Sequence, residues 1–296
     1  MNRITLAAYA KINLSLGIVG RRPDGYHRLD SIMQSVSLAD RMTLEITSAR
    51  TIQLFISDPA LPSDQRNTAY RAARFFFEQT GIPCPGLSIQ IEKAIPSGAG
   101  LGGGSADAAA VIRGLQRLYM SPLSPEQQTA VAVSVGADVP FCLTGGTCRA
   151  EGIGERLTRL PPLPACSIVL AKPRRSISTP MAYGAYDRLP APAPPDTTRL
   201  IQALDAADVR LFARLLDNVL EQAVPLPDIR RLQSIMTAAG ALASRMTGSG
   251  SAVFGLFLEQ ERAEDCLQTL RQDSERIPFS VLCQPVGAGI QILSGG

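Results

Sequence analysis

Apolar residues alternate with polar or small ones from the start of the chain. Ile4, Leu6 and Ala8 are followed by Ile12, Leu14, Leu16 and Ile18, set against Asn13, Ser15 and Gly17. Alternation of period two marks a half-buried strand. Residues 4–19 therefore predict two strands, broken near Lys11, with Lys11 and Asn13 on the polar face of the second. Arg21-Arg22-Pro23-Asp24-Gly25 signals a turn. More strands are predicted near 32–38, 42–48 and 51–57, in a mostly antiparallel sheet. Asn67 to Gln79 reads as a helix closed by Gly81, with Phe75, Phe76 and Phe77 supplying core.

The pattern then changes. A strand over 87–92 feeds a glycine-rich stretch at 95–106. A helix follows, with Ser105 as its expected N-cap and Ala106, Ala109, Ile112 and Leu115 as its apolar stripe. A helix over Pro125–Val135 ends at Gly136, and Pro140, just past Asp138, is expected to stop it from resuming. Gly145-Gly146 and Glu151–Gly154 read as turns. Ile168–Ala171 reads as a buried strand, and the change in composition places a domain boundary near 160. Residues 188–198 are proline-rich and read as a linker or surface loop. Helices are predicted at 199–216, 228–240 and 259–272. Strands are predicted at 241–246, 252–258, 279–284 and 289–293, the first two joined by Thr247-Gly248-Ser249-Gly250-Ser251. The expectation is an α+β chain of two domains, 1–160 and 161–296, its last strand free to return to the first.

Composition narrows the partners. The chain has 296 residues, 45% hydrophobic and 19% charged, enough for a sizeable core. A net charge of +3 argues against a broad nucleic-acid footprint. No run of about 18 apolar residues predicts a membrane span. The N-terminal residues resemble neither a signal nor a transit peptide. The cysteines at 84, 142, 148, 166, 266 and 283 form no CxxC pair and read as thiols of a reducing compartment, so a cytoplasmic location is expected. Only three of the 29 basic residues are lysine, namely Lys11, Lys93 and Lys172. Such survivors can mark places that need a compact point charge in place of a planar fork.

The glycine stretch is the strongest local signal. Strand, glycine loop and helix expose backbone N–H groups at a helix start, which attracts phosphate. Gly98-Ala99-Gly100-Leu101-Gly102-Gly103 fits the dinucleotide pattern, but that fold needs an acid about 20 residues on, and residues 117–124 contain none. A Walker A loop needs a lysine before Ser105, which is absent. A protein-kinase loop needs His-Arg-Asp and Asp-Phe-Gly partners, and neither tripeptide occurs.

What fits is Pro96-Ser97-Gly98-Ala99-Gly100-Leu101-Gly102-Gly103-Gly104-Ser105-Ala106-Asp107, which resembles the central motif of the GHMP kinases. Four other stretches sharpen the likeness: Ala10–Leu16, Gly25–Ser31, Gly136–Phe141 and Met246–Ser251. Together they resemble the branch that phosphorylates the 2-hydroxyl of diphosphocytidyl methylerythritol in the non-mevalonate isoprenoid route. The resemblance implies the two-domain GHMP fold, an N-terminal mixed sheet with helices and a smaller C-terminal layer. It places the active site in the cleft between them.

It also implies ATP with Mg²⁺, residues 96–106 as the phosphate cradle, Asp138 as general base and Lys11 as its partner. No residue is assigned as a direct metal ligand. Ser105 can give its hydroxyl to a phosphate or to Mg²⁺. Lys93 is a candidate for approaching the nucleotide, and Asn67 for the adenosine side, although capping explains Asn67 as well. The cytidine end falls to Asn13, Tyr26 and His27, with a stacking ring from Tyr183 or Tyr186. Gly248 and Ser249 are placed near the diphosphate. The expected partner is a small molecule, cytidine-diphosphate-linked methylerythritol, taken up by a monomer or weak homodimer. The rivals are a GHMP kinase for another alcohol, such as mevalonate, and a non-catalytic nucleotide-binding relative.

Overall fold

The structure, a computed structural model, describes residues 2–120, 123–190, 192–224 and 226–295. Two long strands, β1 (Arg3–Arg21) and β2 (His27–Ile46), form one antiparallel hairpin around the predicted 21–25 turn. The expected break near Lys11 is a bulge between Tyr9 and Lys11, not a strand end. A bulge re-aims side chains without ending a ladder. Likewise, β2 runs unbroken where two strands were expected. Its two halves take different partners, so the sequence changes character midway.

The chain continues through β3 (Ile52–Ile56), α1 (Thr68–Thr80), β4 (Leu87–Glu92) and α2 (Gly103–Leu118). The β3 and β4 strands pair in parallel because α1 carries the chain back between them. The α2 helix lies on this sheet. A Cβ at Gly114 would stand 2.3 Å from Leu44 Cδ1, so the glycine allows the close approach. The core between them holds Leu6, Ile12, Leu44, Ile89, Phe76, Ala109, Ile112 and Leu115.

Next come α3 (Pro125–Val135), α4 (Val139–Thr144), β5 (Thr147–Gly152) and β6 (Arg156–Arg159). Pro140 does not stop a helix: it occupies the first turn of α4, where a missing N–H costs nothing. The glycines at 145–146 and 152–154 are turns, but they flank β5, which pairs with the upper half of β2.

The second half contains β7 (Ser167–Lys172), α5 (Thr179–Tyr186), α6 (Thr197–Asp205), α7 (Val209–Leu215), α8 (Val219–Ala223), α9 (Pro227–Ala238), β8 (Ala243–Met246), β9 (Val253–Phe257), α10 (Gln260–Arg271), β10 (Phe279–Cys283) and β11 (Ile290–Ser294). The helix expected over 199–216 is two. Ala207 adopts a φ of 53°, and the Asp208 side chain then accepts from the Leu211 N–H to start α7. Of the proline-rich stretch, Ala191 lies outside the described residues. A four-stranded sheet runs β10-β7-β9-β8, packed through Val169, Val253 and Phe257 against Ile229, Met236, Cys266 and Leu270 of α9 and α10. The last strand, β11, does not join it. It pairs with β1 at the edge of the seven-stranded first sheet.

Candidate active site

A cavity of about 740 Å³ opens between the two sheets' edges, lined from β1, the glycine loop, α4, α5 and the turn between β8 and β9. At its floor is Lys11, whose side chain is only 5% exposed. Its Nζ lies 2.8 Å from Asn13 Oδ1 and 3.2 Å from Asp138 Oδ2. Asp138 stands at the start of α4, and its carboxylate makes no capping bond to the helix, which leaves it to Lys11 and the cavity. Asn13 is held in turn. Its Nδ2 donates to Ser31 Oγ at 2.8 Å, and its backbone N–H donates to Thr247 Oγ1 at 2.8 Å.

The glycine loop is pinned from both sides. The Lys11 N–H donates to Leu101 O, and the Ala252 N–H donates to Ala99 O. A Cβ at Gly100 would stand 2.3 Å from Thr247 O, and one at Gly102 would stand 2.8 Å from Lys11 Cγ. Both residues also hold a positive φ, so any side chain there would both clash and strain the backbone. Gly98, Gly100, Gly102 and Ser105 face the cavity, while Ala99 and Leu101 turn inward as core. The N-cap of α2 is Gly102, not Ser105. Ser105 sits in the first turn and lines the cavity, relieved of capping duty.

Two sequence candidates stand elsewhere. Lys93 does not line the cavity. Its Nζ lies 2.5 Å from Asp40 Oδ2 and 2.7 Å from Asp107 Oδ2, behind the loop, and both carboxylates are buried. Asp40 Oδ1 also accepts the N–H groups of Ala94 and Ile95, where β4 runs into the loop. Burial pushes the Asp107 carboxyl up, to about 7. Lys93 pulls against this and Asp40 adds to it. Asn67 caps α1, accepting from Ala69 N and donating to Pro62 O, and does not line the cavity either.

At the other end the His27 ring stacks on Tyr183, with centroids 4.9 Å apart and planes at 30°, while Tyr186 meets it edge-on at 5.9 Å. Tyr183 faces the cavity and Tyr186 does not. Burial raises the Tyr183 phenol above its ordinary value, and Asp138 adds to this. Tyr26 presents its ring to the opening, 62% exposed. In the 247–251 turn, Ser249 Oγ lies 3.0 Å from Thr179 Oγ1 of α5, and Gly248 O accepts from the buried Asn218 side chain.

Sequence reasoning missed Asp40, Asp107, Asn218 and Asp187, whose Oδ1 lies 2.6 Å from His27 Nε2. Asp187 follows Tyr183 by four residues, the spacing that puts both on one side of a helix. That signal was readable only if residues 179–186 were recognised as helical.

This arrangement, a glycine cradle facing a lysine-aspartate pair and an aromatic cleft, can be set beside known proteins. Residues 67–146 match the family described as GHMP kinases N terminal domain, and residues 200–275 match GHMP kinases C terminal. The chain belongs to the GHMP kinases.

A 4-diphosphocytidyl-2-C-methyl-D-erythritol kinase of Caldicellulosiruptor saccharolyticus is 41% identical over 94% of this chain and 97% of the relative. One from Exiguobacterium sibiricum is 42% identical over 90% of this chain and 94% of the relative. A crystal structure of 4-(cytidine 5'-diphospho)-2C-methyl-D-erythritol kinase superposes with a TM-score of 0.81 at 35% identity, covering 96% of this chain and all of that one. Homoserine kinase from Cytophaga hutchinsonii, at a TM-score of 0.79 and 21% identity, shares the fold. As a GHMP kinase the chain is a small-molecule kinase of two-domain α+β architecture, with ATP as phosphoryl donor. No described helix is long and apolar enough to cross a membrane.

Proposed function

We propose that this GHMP kinase transfers the γ-phosphoryl group of ATP to the 2-hydroxyl of 4-diphosphocytidyl-2-C-methyl-D-erythritol. The products are the 2-phosphate and ADP, in non-mevalonate isoprenoid precursor synthesis. One observation carries this reading. The Lys11–Asp138 pair sits in a single cavity between the glycine loop and the His27–Tyr183 stack. Phosphates bind at one end, a pyrimidine at the other, and the reacting hydroxyl meets the pair between them.

Phosphoryl transfer asks the protein mainly for positioning and charge. The backbone N–H groups around Gly98, Gly100 and Gly102 cradle the nucleotide phosphates. The hydroxyl gives its proton to the Asp138 carboxylate as the new P–O bond forms. The buried Lys11 ammonium holds that carboxylate in place and faces the charge that develops on the oxygen. Asn13 fixes Lys11. Gly248 and Ser249 border the path of the substrate's diphosphate.

Mg²⁺ fits as an ion carried on the nucleotide. Among the described residues there is no group of three or more His, Cys, Asp or Glu to cage it. Such an ion typically takes one or two protein oxygens plus phosphates, and Ser105, which lines the cavity beside the glycine loop, would supply one. When bound, it neutralises charge on the transferring phosphate. The same reading divides the chain near residue 160, ahead of β7. It also has the enzyme act in the cytoplasm, as a monomer or weak homodimer whose cavity is complete within one chain.

Mevalonate and other small acids give the Tyr26, His27 and Tyr183 rings nothing to stack on. The test is direct. The purified protein, given ATP, Mg²⁺ and the cytidyl substrate, should release ADP with a new phosphomonoester visible by phosphorus NMR. Turnover of mevalonate without turnover of the cytidyl substrate overturns the proposal. The stack has its own test. Tyr183→Ala should raise KM for the cytidyl substrate by about fivefold to 150-fold, since a base–aromatic stack is worth about 1–3 kcal/mol, while KM for ATP changes little. Equal effects on both substrates would remove Tyr183 from the pyrimidine site.

A further inference from the structure

Resting on the substrate reading above, we infer that Asp187 is a positioning residue that fixes the tautomer of His27 and thereby sets which pyrimidine the cleft accepts. One turn of α5 grips the imidazole from two directions. The Tyr183 ring lies against its face at 4.9 Å, and four residues later Asp187 Oδ1 meets its edge at Nε2, at 2.6 Å. The α5 helix is itself anchored, with Ser178 Oγ accepting from the Met181 N–H and Thr179 Oγ1 bonded to Ser249. The ring's position is therefore defined from outside the substrate.

A carboxylate only accepts, so Nε2 carries the hydrogen in this contact. The Arg21 guanidinium lies 3.7 Å from the other Asp187 oxygen and shares the carboxylate's charge. In a neutral imidazole with its hydrogen on Nε2, Nδ1 is a bare acceptor. Among the described residues the imidazole makes one hydrogen bond, through Nε2 to Asp187, and His27 lines the cavity. A lone pair offered there accepts from an exocyclic amine, as on cytosine. It opposes a carbonyl oxygen at the same ring position, as on uracil. With the opposite tautomer the preference would invert. Asp187 therefore sets the choice of base through His27.

His27 is the only histidine in the chain, which makes the test clean. The nitrogen NMR spectrum of the wild-type imidazole should show a protonated Nε2 and an unprotonated Nδ1. The Nδ1–H tautomer, an even mixture or an imidazolium would overturn the inference. Kinetically, the ratio of kcat/KM for the cytidyl substrate to that for its uridyl analogue should be about a hundredfold or more in the wild type. In Asp187→Ala and Asp187→Asn it should fall by about tenfold or more, and Asp187→Glu should restore part of it. The ratio is taken within one preparation, so loss of folded enzyme does not change it. An unchanged ratio in both variants overturns the role of Asp187. A wild type that turns over neither pyrimidine substrate overturns the function proposed above instead.

Discussion

Asp138→Asn should lower kcat by about a hundredfold to ten-thousandfold, the usual worth of a positioned general base, while the Kd for ATP changes little. The amide keeps the shape of the carboxylate but cannot take the proton from the attacking hydroxyl. It also weakens the contact with Lys11 Nζ, now 3.2 Å from the carboxylate. ATP binding survives because the cradle is built from the glycine loop, which Lys11 and Ala252 hold through backbone bonds that the substitution does not touch. Single-turnover kinetics with ATP binding measured separately will check this. Near-normal kcat would mean that the hydroxyl loses its proton elsewhere and that Asp138 serves only as a partner for Lys11.

Lys93→Met should destabilise the fold by about 3–5 kcal/mol, the cost of leaving buried charge without its partner. The side chain keeps its length, but the Asp40 and Asp107 carboxylates are left facing each other, both buried. In the wild type, burial already raises the Asp107 carboxyl to about 7, against the pull of Lys93. The folded chain therefore holds a proton that the unfolded chain releases above the ordinary carboxylate range. This contribution is fully present in acid and is lost as pH rises through about 7. Without the ammonium the loss with rising pH steepens. Urea midpoints should show a larger deficit for the variant at about pH 8 than at about pH 5.5. KM for ATP should also rise, because Asp40 holds the backbone of Ala94 and Ile95 at the entry to the glycine loop. An equal deficit at both pH values would mean that the carboxylates find other partners once Lys93 is gone.

How much of this was readable beforehand depends on the range of the interaction. The strands of the first sheet announce themselves by alternation, because each residue's face is set by its immediate neighbours. The break inferred near Lys11 marked a real irregularity, but only the partner strand turns an irregularity into a bulge. The α5 helix was unreadable: Ala182 is its single buried residue, and Pro180 and Gly184 interrupt any stripe. The split between α6 and α7 hides in Ala207, whose left-handed backbone an alanine does not advertise. The scarcity of lysine pointed to Lys11, Lys93 and Lys172 alike as candidate places for a compact charge. It did not say against what. Lys11 faces the cavity and Asp138, whereas Lys93 faces inward to carboxylates 53 and 14 positions away.

The sequence alone therefore determined the local chemistry: a backbone cradle for phosphate, a lysine and an asparagine on one strand face, an aspartate between a helix end and a proline, and aromatic residues near a turn. These follow from residue type and short spacing. Tertiary structure decided their relations. It chose Tyr183 over Tyr186 as the cavity ring, moved Lys93 from ligand candidate to buttress, and freed Ser105 from capping. It also brought Asp187 to His27 across 160 positions of chain. The physical reason is that charge, stacking and burial act through space. Their strength depends on distances of a few ångströms, which only the packing of two sheets and their helices can set.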